Sequence, residues 1–272
     1  MITFEPRMEE EKNMTFLEHL EELRWRLVKS AIAIVVVACV LFWYKEWIMI
    51  HIFQSMLKAD FISFKLMCSW FGVCTGDSPV QMQSMNVSGQ FSYALMMSIL
   101  GGVVISSPFI FYQLWAFVKP GLKVNEKSIM NGLFIYVALL FMLGILFGYF
   151  IVAPLCIQFF GNFTLSPDIK NNFTVDSYMS MILSTVFYSG LFFLLPVVIY
   201  ILSKLGVITS DVLKKYRKHA IVGVLILAAI ITPPDLISQV IVAIPITMLY
   251  EIGILVAKRV EKKLARITPT NS

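Results

Sequence analysis

Long apolar stretches alternate with short polar segments along most of the chain. Because a helix needs about 20 mostly apolar residues to cross the hydrocarbon core of a bilayer, these stretches predict transmembrane helices. Six spans are predicted, at about 27–44, 91–117, 129–153, 178–202, 219–232 and 236–257. The last two are short or interrupted by polar residues, so a single re-entrant hairpin is the alternative to two short spans. Both alternatives leave the chain end on the same side of the membrane.

The basic residues give these spans an orientation. Eighteen of the 22 Lys and Arg residues lie at or before the start of the first span, after the last span, or in the segments 119–127 and 204–218. Since cytoplasmic loops carry an excess of Lys and Arg, this distribution places both termini in the cytoplasm. Residues 1–26 are then a cytoplasmic amphipathic segment, 258–272 form a cytoplasmic tail, and 1–272 make up one membrane domain.

The composition agrees with an all-α polytopic membrane protein embedded in a lipid bilayer. Hydrophobic residues make up 58% of the chain, charged residues only 14%, and the mean hydropathy is +0.79. Soluble domains carry about a quarter charged residues, so this chain could not cover a globular surface of its size. Disorder would need low hydrophobicity and high charge. The net charge of +5 is modest and lies in short clusters, which does not favour nucleic-acid binding.

The predicted external loop between the first two spans is unusually long, and its apolar stretches indicate a structured cap. Cys68 and Cys74 lie within it, separated by five residues. An external compartment is oxidising, so a disulfide can persist there. A bridge across five intervening residues is sterically possible, and two unbridged thiols are the equal alternative. Cys39 and Cys156 lie in or near spans and are predicted to be small packing residues.

The sequence offers no constellation of residues for catalysis or for metal binding. Its three histidines fall in different segments without the paired spacing of a zinc site. Phosphate-binding loops, HExxH and GxSxG motifs are absent from the sequence. We therefore predict neither a metal nor a cofactor, and no enzymatic activity.

Charged residues before the first span form the first candidate site. Leu20, Leu23 and Leu27 repeat at helical spacing and predict an apolar stripe. Glu22 and Arg26 lie four residues apart, so they are neighbours on a helix. The pattern is typical of an amphipathic membrane-surface helix with internal ion pairs. The alternative is that the carboxylate faces a cation of a partner.

Two further acids adjoin predicted turns. Glu126 is the only acid in the basic loop between the second and third spans. It either favours the N-terminus of the next helix or serves as a binding carboxylate. Asp235 follows two prolines and either caps the last span or contributes to a polar site.

Two polar residues fall inside the last span. Gln239 would be costly facing lipid, so we expect it to face protein or water. Glu251 either pairs with Lys258 or Arg259, reaching the interface beside them, or has a functional role.

Four strings of the sequence, in order along nearly the whole chain, resemble TatC, the multi-span receptor subunit of the twin-arginine protein translocase. They are FLEHLEELRWRL, SSPFIFYQLWAFVKPGLKVNEK, GYFIVAPL and ITPPDLISQVIVAIPITMLYEIGIL. The resemblance implies six helices in a concave arrangement with both ends cytoplasmic, in the cytoplasmic (inner) membrane of a bacterium.

The resemblance also implies a function in protein transport. Such proteins bind the twin-arginine signal peptides of folded cargo and mediate translocation driven by the proton-motive force. They assemble with each other and with single-span partners of the TatA and TatB type. Matched position by position, the signal-peptide-binding residues are Glu22, Glu126, Arg24, Arg26 and Phe117.

The resemblance further implies a partner-docking edge that includes Gln239, and we group Asp235 and Glu251 with it as polar residues of the membrane region. Leu194 stands where the family often carries a glutamate or glutamine, so a polar pairing role there is not carried over. A small-molecule secondary transporter is the alternative function. That class usually shows internal repeats and several midplane polar groups, and no repeat between the halves is found here. An intramembrane enzyme is a third reading, weakened by the lack of catalytic residues.

Overall fold

The computed structural model describes residues 16–58, 60–71, 81–118, 133–164, 166, 172–231 and 236–267. This part of the chain is helical nearly throughout. The α-helices are α1 Phe16–Trp43, α2 Lys45–Ile48, α3 Ile62–Phe71, α4 Gly89–Val118, α5 Leu133–Phe147, α6 Ala153–Asn162, α7 Val175–Phe193, α8 Leu195–Lys204, α9 Ser210–Lys215, α10 Arg217–Ile231 and α11 Leu236–Ile267. The other elements are π-helical turns Met49–Phe53 and Gly148–Val152, a 3-10 helix Gln54–Leu57, and strands β1 Gln81–Gln83 and β2 Asn172–Thr174.

Four helical segments of the described ranges are long and apolar enough to cross a membrane. They are Leu17–Trp43, Gly89–Phe117, Phe134–Asn162 and Val175–Lys204. These segments coincide with the first four predicted spans. The first shows that the predicted amphipathic segment is not separate, because α1 runs from Phe16 without a break.

The predicted fifth and sixth spans correspond to α10 and α11. With 15 residues, α10 is about 22 Å long at 1.5 Å per residue, short of a hydrocarbon core of about 30 Å. By contrast, α11 has 32 residues and continues past the predicted end of its span into the predicted tail. The Pro-Pro-Asp turn between them, with Asp235, lies outside the described residues.

Local sequence explains where the fourth span is interrupted and where it ends. Pro196 is the second residue of α8, and without an N–H group it cannot continue the hydrogen bonding of α7. Leu194 is therefore the junction residue between the two helices. After α8, Gly206 adopts a φ of +72° and the N–H of Val207 donates to Leu202 at 3.0 Å. This left-handed glycine terminates the helix at low steric cost.

Small residues bring the spans close together. An added Cβ on Gly144 would lie 2.6 Å from the carbonyl oxygen of Ser189, and one on Gly148 would lie 2.9 Å from Cα of Val186. These two glycines, one turn apart on α5 and the turn after it, let that span approach α7 at backbone distance. Similarly, Gly102 of α4 allows close approach of α1.

The described parts of the loop between the first two spans form a structured cap, as the sequence predicts. The hydroxyl of Tyr178 donates to the carbonyl of Phe53 at 2.6 Å, and that of Tyr149 donates to Ile52 at 2.8 Å. A parallel pairing of Met82 with Phe173 joins this loop to the segment before α7. Both predicted external loops thus lie at the same end of the bundle.

The cysteines only partly follow the sequence expectations. Cys68 in α3 is disulfide-bonded, whereas Cys74, the partner that the spacing suggests, lies outside the described residues. Cys156 is buried in a hydrophobic cluster, as a packing residue should be. Cys39 is exposed on α1. The packing prediction for Cys39 is wrong because α1 packs on α4 along one side and leaves its other face uncovered.

Candidate functional site

The first turns of α1 and the last turns of α4 bring predicted site residues together. Nε of Arg26 donates to Oε1 of Glu22 at 2.9 Å, and the Nη2 group donates to the same oxygen. The Nη1 group of Arg26 also contacts Oε1 of Gln113 on α4, at 3.4 Å. The side chains of Arg26 and Glu22 are 24% and 23% exposed. The ion pair is thus partly shielded from solvent by the neighbouring helix.

The second carboxylate oxygen of Glu22 is in a different situation. Oε2 is buried and has no hydrogen-bond partner in the part of the chain that the structure describes. Burying an acceptor without a donor costs about 1–3 kcal/mol, and more for a charged group. The carboxylate of Glu22 therefore has one oxygen engaged by Arg26 and one oxygen without a donor among the described residues.

An aromatic contact forms one side of the same region. The ring of Phe117 stacks on the imidazole of His19, with centroids 4.3 Å apart and planes 15° apart. His19 precedes Glu22 by three residues and Phe117 follows Gln113 by four, so each pair lies on one helix face. The predicted residues Glu22, Arg26 and Phe117 thus lie at one interface between α1 and α4.

Arg24, one of the predicted signal-peptide residues, does not join this cluster in the structure. Arg24 is exposed, and at 100° per residue its side chain points away from that of Glu22. Glu126 follows the end of α4 by eight residues and lies outside the described residues.

Sequence reasoning missed His19 and Gln113. Gln113 is buried although it is polar, and His19 covers Phe117. Helical spacing was the available signal, because Gln113 lies one turn before Phe117 and His19 one turn before Glu22. The buried indole Nε1 of Trp115 also has no partner among the described residues.

The polar residues of the last span lie in a second region, between α10 and α11. The amide of Gln239 donates to the carbonyl of Leu225 at 2.9 Å, so it faces protein as expected. Glu251 forms a two-pronged ion pair with Arg217, with Nε to Oε1 at 2.7 Å and Nη2 to Oε2 at 2.8 Å. The predicted pairing with Lys258 or Arg259 is wrong, because the packing of α10 brings a cation from another helix.

Two further contacts hold the short helix α9 against α11. The side chain of Glu261 accepts hydrogen bonds from the backbone N–H and the hydroxyl of Ser210, the latter at 2.6 Å. The hydroxyl of Tyr250 donates to the carbonyl of Leu213 at 2.8 Å. These hydrogen bonds therefore hold the predicted cytoplasmic segment 204–218 against the last helix.

Neither region resembles a metal centre. Within the described ranges, no group of three or more His, Cys, Asp or Glu side chains could hold a metal ion.

Comparisons with known proteins point to one family. The family model described as Sec-independent protein translocase protein (TatC) matches residues 18–245. The TatC protein of Blattabacterium sp. subsp. Periplaneta americana is 37% identical over 265 residues, which cover 94% of this chain and 100% of that protein. The TatC protein of Aquifex aeolicus is 34% identical over 255 residues, covering 93% of this chain and 99% of that protein. A crystal structure of a twin arginine translocase receptor, TatC, superimposes with a TM-score of 0.72 and 34% identity, covering 90% of this chain and 100% of that one.

Proposed function

Because the chain belongs to the TatC family of Sec-independent protein translocase proteins, we propose that it is the receptor that binds twin-arginine signal peptides through Glu22. A member of this family is a membrane component of a protein translocase rather than an enzyme. The receptor role rests on the crystal structure of a similar twin-arginine translocase receptor and on the geometry around Glu22.

The buried Oε2 of Glu22, without a donor among the described residues, is the observation that carries the proposal. A guanidinium group presents several N–H donors in a fixed planar fork, which matches a carboxylate. Lysine offers a point charge without that geometry. A signal-peptide arginine can therefore satisfy Oε2 in a way that lysine cannot reproduce.

Arg26 acts in this proposal as an internal substitute for a signal-peptide arginine. It holds Oε1 of Glu22 and already contacts Gln113. When a peptide arginine arrives, Arg26 moves towards the Gln113 amide and yields its place on the carboxylate. One charge-assisted hydrogen bond replaces another, so little free energy is lost in the exchange.

The remaining predicted site residues complete the binding surface. Glu126 supplies the second carboxylate, so that two peptide arginines meet two acids, and Phe117 contacts the apolar part of the peptide. Arg24, exposed on the other face of α1, meets lipid headgroups rather than the peptide arginines. The closely packed spans then guide the apolar stretch of the signal peptide into the bilayer.

We further propose six transmembrane helices, with both termini cytoplasmic, in a bacterial cytoplasmic membrane. Joining of the two predicted external loops through Met82 and Phe173 supports this topology, as does the contact of His19 with Phe117 at the opposite end. Under this topology, residues 1–272 form one domain, with α10 and α11 as the two short spans.

The partners in this proposal are single-span proteins of the TatA and TatB type and further copies of the chain, with transport driven by the proton-motive force. Support comes from α10, whose apolar side chains Val222 and Ile226 are exposed while its other side packs on α11. Because Gln239 is engaged with Leu225, docking there involves the α10 surface or an exchange of that hydrogen bond. In this proposal Glu251, which pairs with Arg217 of α10, belongs to the same docking edge. Asp235 is assigned to that edge only by its place in the sequence, just before α11.

The site is tested by measuring how tightly the full chain in detergent or nanodiscs binds a fluorescent twin-arginine peptide. Glu22→Gln keeps the size of the side chain but removes its charge, and we expect about a tenfold or larger loss of affinity. Glu21→Gln is the matched control, since Glu21 is the exposed neighbour on α1. Equal affinities for both variants and the unmodified chain contradict the assignment.

A further inference from the structure

A cavity of about 580 Å³ lies at the end of the bundle opposite to Glu22. It is bounded by the end of α1, α2, β1 and the first turns of α4 and α7. Four methionines line it, namely Met49, Met82, Met97 and Met179. Methionine side chains are flexible and polarisable, so such a surface adapts to an irregular apolar chain. The volume lies in the range of small-molecule sites, which span about 300–1,000 Å³.

The rim of this cavity carries two adjacent charges of opposite sign. Lys45 and Glu46 both line it, at the point where α1 gives way to α2. The Nζ atom of Lys45 lies 4.8 Å from the centre of the Phe42 ring. Across the described ranges, Glu46 forms no ion pair. The rim therefore presents a cation and an anion side by side above an apolar floor.

Exposed aromatic residues indicate where the rim of the cavity lies relative to the membrane–water interface. Trp43, Tyr44 and Trp47 follow one another around the end of α1, and their exposed fractions are 84%, 58% and 56%. Tryptophan and tyrosine concentrate at the membrane–water interface, where one part of the ring is apolar and the other meets water. The two charges thus lie at the level of the lipid headgroups.

We propose that this cavity is a binding site for a glycerophospholipid with a primary-amine headgroup, of the phosphatidylethanolamine class. The lipid phosphate pairs with Lys45, the headgroup ammonium pairs with Glu46, and one acyl chain lies against the methionines. An anionic lipid that lacks an amine offers no cation to Glu46, so the Glu46 carboxylate faces another negative charge. A lipid at this site joins the first span to the cap and to α7. The proposal is independent of signal-peptide binding, which occurs at the other end of the bundle.

Binding is measured by native mass spectrometry on the full chain in detergent, with phosphatidylethanolamine, phosphatidylcholine and phosphatidylglycerol added separately. We expect the phosphatidylethanolamine adduct to be the most stable. Lys45→Gln and Glu46→Gln should each weaken it about tenfold, the effect of losing one charge-assisted hydrogen bond. Lys65→Gln is the control, because Lys65 is an exposed lysine of α3 that pairs with Asp60 at 3.1 Å. Phosphatidylglycerol binding as tight as phosphatidylethanolamine, or equal adducts in all variants, overturns the proposal.

A second measurement identifies the occupant in membranes. A photoreactive amino acid replaces Ala94, which lines the cavity from α4. A crosslink with the mass of a phospholipid supports the proposal, whereas a crosslink to a second protein chain overturns it. Ala94→Trp fills the cavity and should reduce the lipid adduct by the same factor as Lys45→Gln while leaving twin-arginine peptide binding unchanged.

Discussion

Arg26 donates twice to one oxygen of Glu22 while the other oxygen of that carboxylate remains buried and unpartnered among the described residues. The two residues are one helical turn apart on α1, so the pair forms without any ligand. Ion pairs of this spacing contribute only about 0.3–0.5 kcal/mol when exposed, and this one is partly shielded. The pair is therefore weak enough for a peptide arginine to replace Arg26.

The exchange proposal makes an unusual prediction for Arg26. Arg26→Gln removes the internal competitor and leaves the Glu22 carboxylate without its partner. We expect the affinity for a twin-arginine peptide to rise about two- to fivefold, the equivalent of a weak ion pair. Fluorescence anisotropy titration of the full chain measures this directly. A loss of affinity would show that Arg26 positions Glu22 rather than competing with the peptide.

The peptide itself can be varied instead of the protein. Replacing both arginines by lysines keeps the charge but removes the planar fork, so we expect about a tenfold loss of affinity. Competition against the labelled twin-arginine peptide provides the measurement. In Glu22→Gln the difference between the two peptides should shrink. An undiminished preference for arginine in that variant locates the discrimination elsewhere.

The close approach of α5 to α7 predicts a large effect of a small substitution. In Gly144→Ala the new methyl group would lie 2.6 Å from the carbonyl oxygen of Ser189, so the helices must separate. We expect a loss of about 1–3 kcal/mol, typical of overpacking, seen as a lower midpoint of thermal unfolding in detergent.

The matched control for this substitution is Gly223→Ala. Gly223 lies on α10, and an added Cβ there meets no atom within 4 Å among the contacts that the structure describes. Alanine also favours the helix by about 1 kcal/mol over glycine. The control should thus be neutral or slightly stabilised. Equal destabilisation of the two variants contradicts the packing assigned to Gly144.

The contact between Glu261 and Ser210 predicts a local change. Glu261→Ala removes the acceptor for both groups of Ser210, so the first turn of α9 should open more often. Hydrogen–deuterium exchange of the 210–215 amides should accelerate several-fold, while exchange in α4 stays unchanged. Lys258→Ala is the control, because Lys258 is an exposed residue one turn earlier on α11. If both variants leave exchange at 210–215 unaltered, Glu261 does not hold α9.

The apolar pattern alone predicts the first four spans. A helix that crosses the bilayer needs a longer run of apolar residues than a helix in the core of a soluble protein, so such runs are easily recognised. Contacts between residues that are far apart in the sequence cannot be predicted from the apolar pattern. The pairing of Glu251 with Arg217 joins residues 34 positions apart, so it depends on how α10 packs. Spacing along one helix suggested Lys258 or Arg259 instead.

The site between α1 and α4 was predictable only in part. Glu22, Arg26 and Phe117 stand in motifs that resemble the family, and the structure brings them together. Gln113 was not predicted because a glutamine in an apolar span has no unique partner until the facing helix is known. Oε2 of Glu22 lacks a donor among the described residues because of how α1 and α4 pack, which the sequence alone does not show.

The two contacts between α10 and α11 lie on opposite sides of Pro245. Gln239 meets Leu225 before the proline, and Glu251 meets Arg217 after it. Proline removes one hydrogen bond from the helix interior, so α11 is least resistant to bending at that point. Because α10 is bound to α11 on both sides of Pro245, α11 cannot bend there unless one of the two contacts opens. A protein that draws α10 away would thus free the last helix to bend and carry α9 with it.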